Sequence, residues 1–172
     1  MSGKKALLVI DMQNDYLCED RKSMFTYDTE KLVASVNNAI TLYNEKGYDI
    51  IYIKQVFQDI ITNRWFIGFT IKGTLGAELY EEIDVVSDNI FEKYFSDAFT
   101  SKPFLVHVKK KGYSEVVLCG LDEYGCVGAT AKGAVRFGMT TYILKDSVGS
   151  RFSKRKIEKI RLNLKKIGVK YL

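Results

Sequence analysis

The chain has 172 residues, 47% of them hydrophobic and 13% aromatic, enough for a sizeable core and typical of a soluble globular protein. The formal charge is +5, no apolar run approaches the roughly 20 residues of a membrane-spanning helix, and the opening MSGKK lacks the apolar stretch of a secretory signal. Three cysteines, Cys18, Cys119 and Cys126, form no CxxC pair and argue against a disulfide scaffold; the expectation is one cytoplasmic domain over residues 1–172.

In chain order, the run ALLVI over residues 6–10 reads as a strand that delivers Asp11 at its C-terminal end. Residues 29–46 carry Leu32, Val33, Val36, Ile40 and Tyr43 at helical spacing, with Asp28 as N-cap and Gly47 as the stop. A second strand covers residues 49–56. Residues 57–76 show no clear period and are long for a connection, which suggests a functional excursion over the sheet's end. A short helix over residues 77–83 and a brief strand over 89–92 follow, and Lys93 comes directly after that strand. Residues 99–111 read as a helix with Ser101 near its cap, Pro103 in its first turn and Gly112 after its end. His107, the sole histidine, lies on that helix without a second ligand at metal-binding spacing and is expected to be a surface or partly packed residue.

Residues 115–135, EVVLCGLDEYGCVGATAKGAV, combine a continuous apolar strand, a glycine-bounded turn and a helix that begins at Cys126 and ends at Gly138. Cys126 is either a small buried helix-start residue or a nucleophile, since unpaired N–H groups and the helix dipole at such a position favour a thiolate. Residues 141–144 form a fifth strand. The basic run from Arg151 to Lys166 fits a helix with Ile157, Ile160, Leu164 and Ile167 on its buried stripe and a solvated basic face, so no nucleic-acid or membrane partner is expected. Residues 169–172 complete six strands.

Strands alternating with helices imply an α/β, doubly wound, mostly parallel sheet of order 3-2-1-4-5-6 with helices on both faces. Strands one and four are then neighbours where the winding reverses, and a crevice opens at their carboxyl ends. Asp11, Cys126 and Lys93 all arrive there, an arrangement suited to nucleophilic catalysis. A phosphate loop is not expected, because neither GxGxxG nor a GK[ST] ending is present.

LLVIDMQNDY (residues 7–16), KGTLGAEL (72–79), EKYFSDAF (92–99), CGLDEYGCVGATAKGA (119–134) and KDS (145–147) together resemble the ordered motifs of the isochorismatase-like cysteine hydrolases, which include nicotinamidases and the ureidoacrylate and N-carbamoylsarcosine amidohydrolases. The resemblance implies an Asp11–Lys93–Cys126 triad, a non-proline cis peptide before Asp122, and an oxyanion hole from the backbone N–H groups of Asp122 and Cys126. It also implies an amidohydrolase for a small non-peptide amide or ureido compound, and a homo-oligomer, dimer or tetramer. Ether hydrolysis of the isochorismatase type and a non-catalytic binding role are the alternatives.

Gly133 departs from the resembled pattern, which often has Asp there. Nicotinamidases of this family hold a zinc-type ion with an Asp-x-His pair after the second strand and another His; Gln55 and Phe57 stand in the places of that pair, so no metal or other cofactor is expected. Candidates to touch substrate are Tyr16, Gln55, Phe57, Arg64, Trp65 and Tyr124, with Arg64 and Lys54 as carboxylate anchors and Trp65, Phe57 and Tyr124 against a planar group.

Overall fold

A computed structural model of the chain describes residues 3–172. The elements are β1 (Lys4–Ile10), α1 (Asn14–Leu17), α2 (Thr29–Glu45), β2 (Asp49–Gln55), α3 (Ile61–Phe66), β3 (Ile90–Lys93), α4 (Lys102–Lys111), β4 (Tyr113–Gly120), α5 (Gly128–Arg136), β5 (Thr140–Val148), α6 (Lys154–Lys166) and β6 (Lys170–Tyr171). All neighbouring strands pair in parallel, in the expected order β3-β2-β1-β4-β5-β6.

Alternate residues of β1 serve opposite layers, as the two-residue period of a strand requires. Ala6, Leu8 and Ile10 pack with Phe104 and Val108 of α4, Ala131 and Ala134 of α5, and Ile160 and Leu164 of α6. Leu7 and Val9 face Leu32, Val33, Val36, Ile40 and Tyr43 of α2. Each of those fully buried side chains contributes about 1.5–3 kcal/mol, so the α2 stripe outweighs any helix propensity of its own. Asp28 caps α2 by accepting from Lys31 N–H, and Gly47 leaves it with φ 76°.

The ends of β1 and β4 are drawn together at Gly120. Its φ is 103°, and a Cβ there would fall 2.1 Å from Ile10 O, so only glycine lets the two strands finish side by side. Asp11 follows Ile10 with φ 54°, a left-handed conformation that aspartate tolerates better than most residues. Its N–H donates to Ile53 O of β2 at 2.8 Å, which aims its side chain out of the sheet's end.

Several boundaries differ from the sequence reading. Residues 77–83 form no helix: a 3-10 turn spans Leu75–Ala77, and the chain then pairs with residues 12–14, through a Gln13–Leu79 bridge and Tyr80 N–H to Met12 O. Backbone groups used across the chain are not free to close helical turns. α4 starts at Lys102, after a separate 3-10 turn at Ala98–Thr100 that Asp97 caps through Phe99 N–H. Cys126 is not the first residue of α5. It lies in a wide turn, Glu123–Val127, that Gly125 breaks with φ −96° and ψ −109°. On α6, Ile160 and Leu164 are buried, whereas Ile167 is exposed beyond the helix end. Gly133 meets Asp97 instead of bearing an acid itself: an added Cβ would come 2.4 Å from Asp97 Oδ1. No helix among the described residues is long and apolar enough to cross a membrane.

Candidate active site

Three strand ends and one turn converge at the crevice beyond β1 and β4. Asp11 is 2% exposed and Lys93, the last residue of β3, is 0% exposed. Lys93 Nζ donates to Asp11 Oδ2 at 2.9 Å and to Gln55 Oε1 at 2.7 Å. Asp11 Oδ1 is buried with no protein partner. Cys126 is a free thiol, as are Cys18 and Cys119, and its Sγ lies 4.0 Å from Gln55 Oε1.

Burial raises the Asp11 pKa above the usual carboxylate value, while the Lys93 charge first and the nearby Cys126 thiol second oppose the rise. Burial also acts against the Lys93 charge, yet Asp11 and Cys126 leave its pKa above that of an ordinary lysine. For Cys126, burial first and the Asp11 charge second push the thiol up to about 12, against the pull of Lys93. Burial and the Asp11 charge thus work against the thiolate that the N–H groups of a helix start favour, and Cys126 precedes α5 instead of opening it.

Further hydrogen bonds behind these side chains fix the floor. Gln13, wholly buried, donates to Gln55 O at 2.9 Å and Ala77 O at 2.7 Å and accepts from Gln55 N–H at 2.8 Å. It thereby locks the end of β2 to the turn at Leu75–Ala77. The Leu121–Asp122 peptide is cis, as the resemblance implied. The Asp122 carboxylate accepts from Tyr124 N–H, Gly125 N–H, Ser150 Oγ–H and Arg151 N–H. The turn's backbone bonds to residues outside it run from Glu123 to Gly149 O and from Gly125 and Val127 to Asp122 O, and none of these uses the N–H of Asp122.

Above the floor lies a cavity of about 320 Å³, at the lower end of the range for small-molecule sites. Of the candidates from sequence, Tyr16, Gln55, Phe57 and Tyr124 line it. Arg64 and Trp65 do not. On α3, Trp65 is 85% exposed, and Arg64 donates to Asp59 Oδ2 at 2.8 Å. Lys54 is buried against Glu78 at 2.7 Å and does not reach the cavity. Phe69, from the excursion over residues 57–76 expected to wall the site, also lines it, as do Phe25, Tyr27, Arg151 and Phe152, which carry no such expectation; all lie in irregular segments where no hydrophobic period marks an inward face. The aromatic excess of these segments was the available signal. His107 is half-buried on α4 against Phe91 and Tyr113, remote from the crevice as expected.

The residues at the resembled metal position do not fit a zinc-type ion. Gln55 Oε1 already accepts from the Lys93 ammonium, Phe57 has no donor atom, and no cluster of three or more His, Cys, Asp or Glu residues gathers among the described residues.

Comparison with known proteins places this geometry among relatives. A family model described as the Isochorismatase domain matches residues 5–165. An uncharacterised isochorismatase family protein of Bacillus subtilis is 23% identical over 143 residues, covering 83% of this chain and 76% of that protein. A protein of Arabidopsis thaliana named a probable inactive nicotinamidase is 25% identical over 178 residues, covering 96% of this chain and 90% of its own length. Among solved structures, the pyrazinamidase of Pyrococcus horikoshii in complex with zinc has a TM-score of 0.84 at 23% identity, covering 98% of each chain, a likeness of fold.

Proposed function

Because this chain belongs to the isochorismatase family, we propose that it is a cysteine amidohydrolase that cleaves small non-peptide amide or ureido compounds through a thioester on Cys126. The observation that carries the reading is the division of labour at Asp11: Oδ2 is held by Lys93, while Oδ1 is buried without a protein partner, and the Cys126 thiol acts on the same carboxyl group. A carboxylate so placed has one oxygen to be oriented by and one to accept a proton with.

Asp11 takes the Sγ proton as sulfur bonds to the substrate carbonyl carbon, and the carbonyl electrons move onto oxygen. That oxyanion is met by the N–H groups of Asp122 and Cys126. Its collapse breaks the C–N bond, and Asp11 returns the proton to the leaving nitrogen. Water then attacks the thioester, giving its proton to Asp11; the C–S bond breaks and the proton returns to sulfur, which restores the thiol. Burial and the Asp11 charge push the Cys126 thiol up, so its proton passes to Asp11 as sulfur attacks. Lys93 keeps Asp11 ionised against the desolvation that raises its pKa.

The reaction takes no metal in this reading, and nicotinamide is a poor substrate, since Gln55 and Phe57 offer nothing to hold an ion at the pyridine nitrogen. α6 needs no anionic partner: Ile160 and Leu164 bury its inner face, and Arg161 pairs with Glu123 through two hydrogen bonds of 2.6 and 2.7 Å. The test is a turnover screen of small amides and ureido acids with Cys126→Ala as control. Ammonia or amine release by wild type alone supports the reading, and equal release by the alanine variant refutes the role of Cys126.

A further inference from the structure

The turn that carries Cys126 is irregular. Gly125 interrupts it with φ −96° and ψ −109°, so no unbroken helical ladder fixes its shape, and anchors from elsewhere in the chain add to its own bonds. Two consecutive acids receive most of them. Asp122 accepts from Ser150 Oγ–H and Arg151 N–H, and Glu123 N–H donates to Gly149 O at 2.9 Å. The Glu123 side chain, on a residue only 2% exposed, accepts from Arg161 Nε at 2.6 Å and from Arg161 Nη2 at 2.7 Å.

Arg161 reaches the turn from α6, and the ring of Tyr171 on β6 backs its guanidinium at 5.6 Å from the centroid. α6 comes close here: a Cβ on Gly128 would fall 2.8 Å from Glu123 O and 3.3 Å from Ile160 Cγ1. If adhesion were all that this contact required, apolar side chains would serve as well. Replacing a buried ion pair by apolar groups of similar volume is often neutral or stabilising, because the two charges need not lose water. What apolar contact lacks is direction. A guanidinium fork meets a carboxylate in one plane through two parallel bonds, so it fixes orientation as well as distance.

We propose that Glu123 and Arg161 are positioning residues for catalysis: their fork, reaching in from the last helix, sets the orientation of the turn and so the placement of Cys126 Sγ and Asp122 N–H against the substrate carbonyl. Neither side chain lines the cavity. The effect passes through the backbone, since Glu123 follows Asp122 directly and precedes Cys126 by three positions. Small displacements there matter, because a misplacement of about 1 Å can lower a rate by about 10²-fold. This assignment rests on the amidohydrolase reading for the chemistry, but the ordering of the turn can be measured without turnover.

The test compares wild type with the double variant Glu123→Met, Arg161→Met, in which apolar side chains replace the pair, and with Arg161→Lys, which keeps the charge without the fork. Lys159→Met, which removes an exposed charge from the same helix, is the control. On an amide that wild type hydrolyses, kcat should fall by about 10–100-fold in the double variant with KM little changed, as for an interaction felt only in the transition state. Arg161→Lys should fall partway, and Lys159→Met not at all. Hydrogen exchange read by mass spectrometry should quicken over residues 122–128 of the double variant while β4 and the body of α5 stay as protected as in wild type. Thermal melting checks that the fold is retained; if the double variant does not fold, Arg161→Lys carries the same two measurements. A wild-type kcat in the folded double variant, or unchanged exchange across the turn, overturns the proposal. So does a fall in kcat that accompanies lost protection throughout β4 and α5, because the pair would then support the fold and not the turn. If exchange quickens as expected but wild type hydrolyses no amide or ureido compound, the pair holds the turn and the amidohydrolase reading alone fails. If Cys126 hydrolyses amides with a kcat indifferent to the pair, that reading stands and the positioning role fails.

Discussion

The floor of the cavity is polar and closed in on itself, whereas its walls are aromatic and come from separate stretches of chain. On the floor, Asp11, Lys93 and Gln55 sit at or just past the ends of three neighbouring strands, and two bonds from one ammonium join them. The walls are built from Tyr16 and Phe25 near α1, Phe57 and Phe69 on either side of α3, Tyr124 in the turn after β4 and Phe152 before α6. Sheet register sets the floor, so moving one of its members means moving a strand. Side-chain packing sets the walls, which can change without touching the sheet. Reaction type and substrate choice are thus held by different parts of the fold.

The largest effect expected on the floor comes from Asp11→Asn, which leaves an oxygen for Lys93 but removes the proton acceptor. The rate should fall by about 10²–10⁴-fold with an unchanged circular dichroism spectrum. A wild-type kcat in this variant would assign the base elsewhere.

Lys93→Met should act through pH as well as rate. Burial raises the Asp11 pKa and Lys93 restrains the rise, so without the cation Asp11 holds its proton to higher pH. Catalysis needs the ionised form, hence the acid limb of the kcat/KM profile should move to higher pH and activity should be lost first on the acid side. Breaking a buried pair also costs about 3–5 kcal/mol of stability, readable as a lower denaturant midpoint. An acid limb at the wild-type position would refute this role for Lys93.

On the walls the effects should be smaller and fall on substrate affinity. Phe69, which touches three other rings, is expected to raise KM by about tenfold when changed to Ala, the equivalent of roughly 1.4 kcal/mol of lost apolar contact, with kcat little altered. Trp65→Ala should change neither constant, since Trp65 is 85% exposed on α3. Steady-state kinetics on one substrate separates the two, and a large Trp65 effect would bring α3 back into the site. Smallest of all, chelator treatment should leave activity unchanged and elemental analysis should find no stoichiometric zinc or iron; activity lost on metal removal would contradict the donor chemistry at Gln55 and Phe57.

The same division explains what could be read from sequence. Apolar strands that end in Asp11 and Lys93, and a strand–turn–helix around Cys126, carry strong local signals, and sheet topology then brings those residues together. Where the chain leaves the sheet, composition no longer says where a side chain points. Trp65 and Arg64 looked like pocket residues by type, but α3 turns them to solvent and to Asp59. Phe69 and Arg151 had no period to mark them. Residues 77–83 read as a helix in sequence because their backbone partners, around Gln13, lie far away along the chain. At Cys126 a dipole argument counts the donors of a helix start but not the burial and the neighbouring carboxyl group, both of which oppose a thiolate and are visible only in the assembled site.

The central claim is the covalent step on Cys126, and acid-quenched intact-mass spectrometry during turnover of a hydrolysed amide tests it most directly. Wild type should gain the mass of the substrate's acyl group, peptide mapping should place it on Cys126, and Cys126→Ala should show neither the adduct nor turnover. An adduct on Cys18 or Cys119 with none on Cys126, or undiminished turnover by Cys126→Ala, would contradict it.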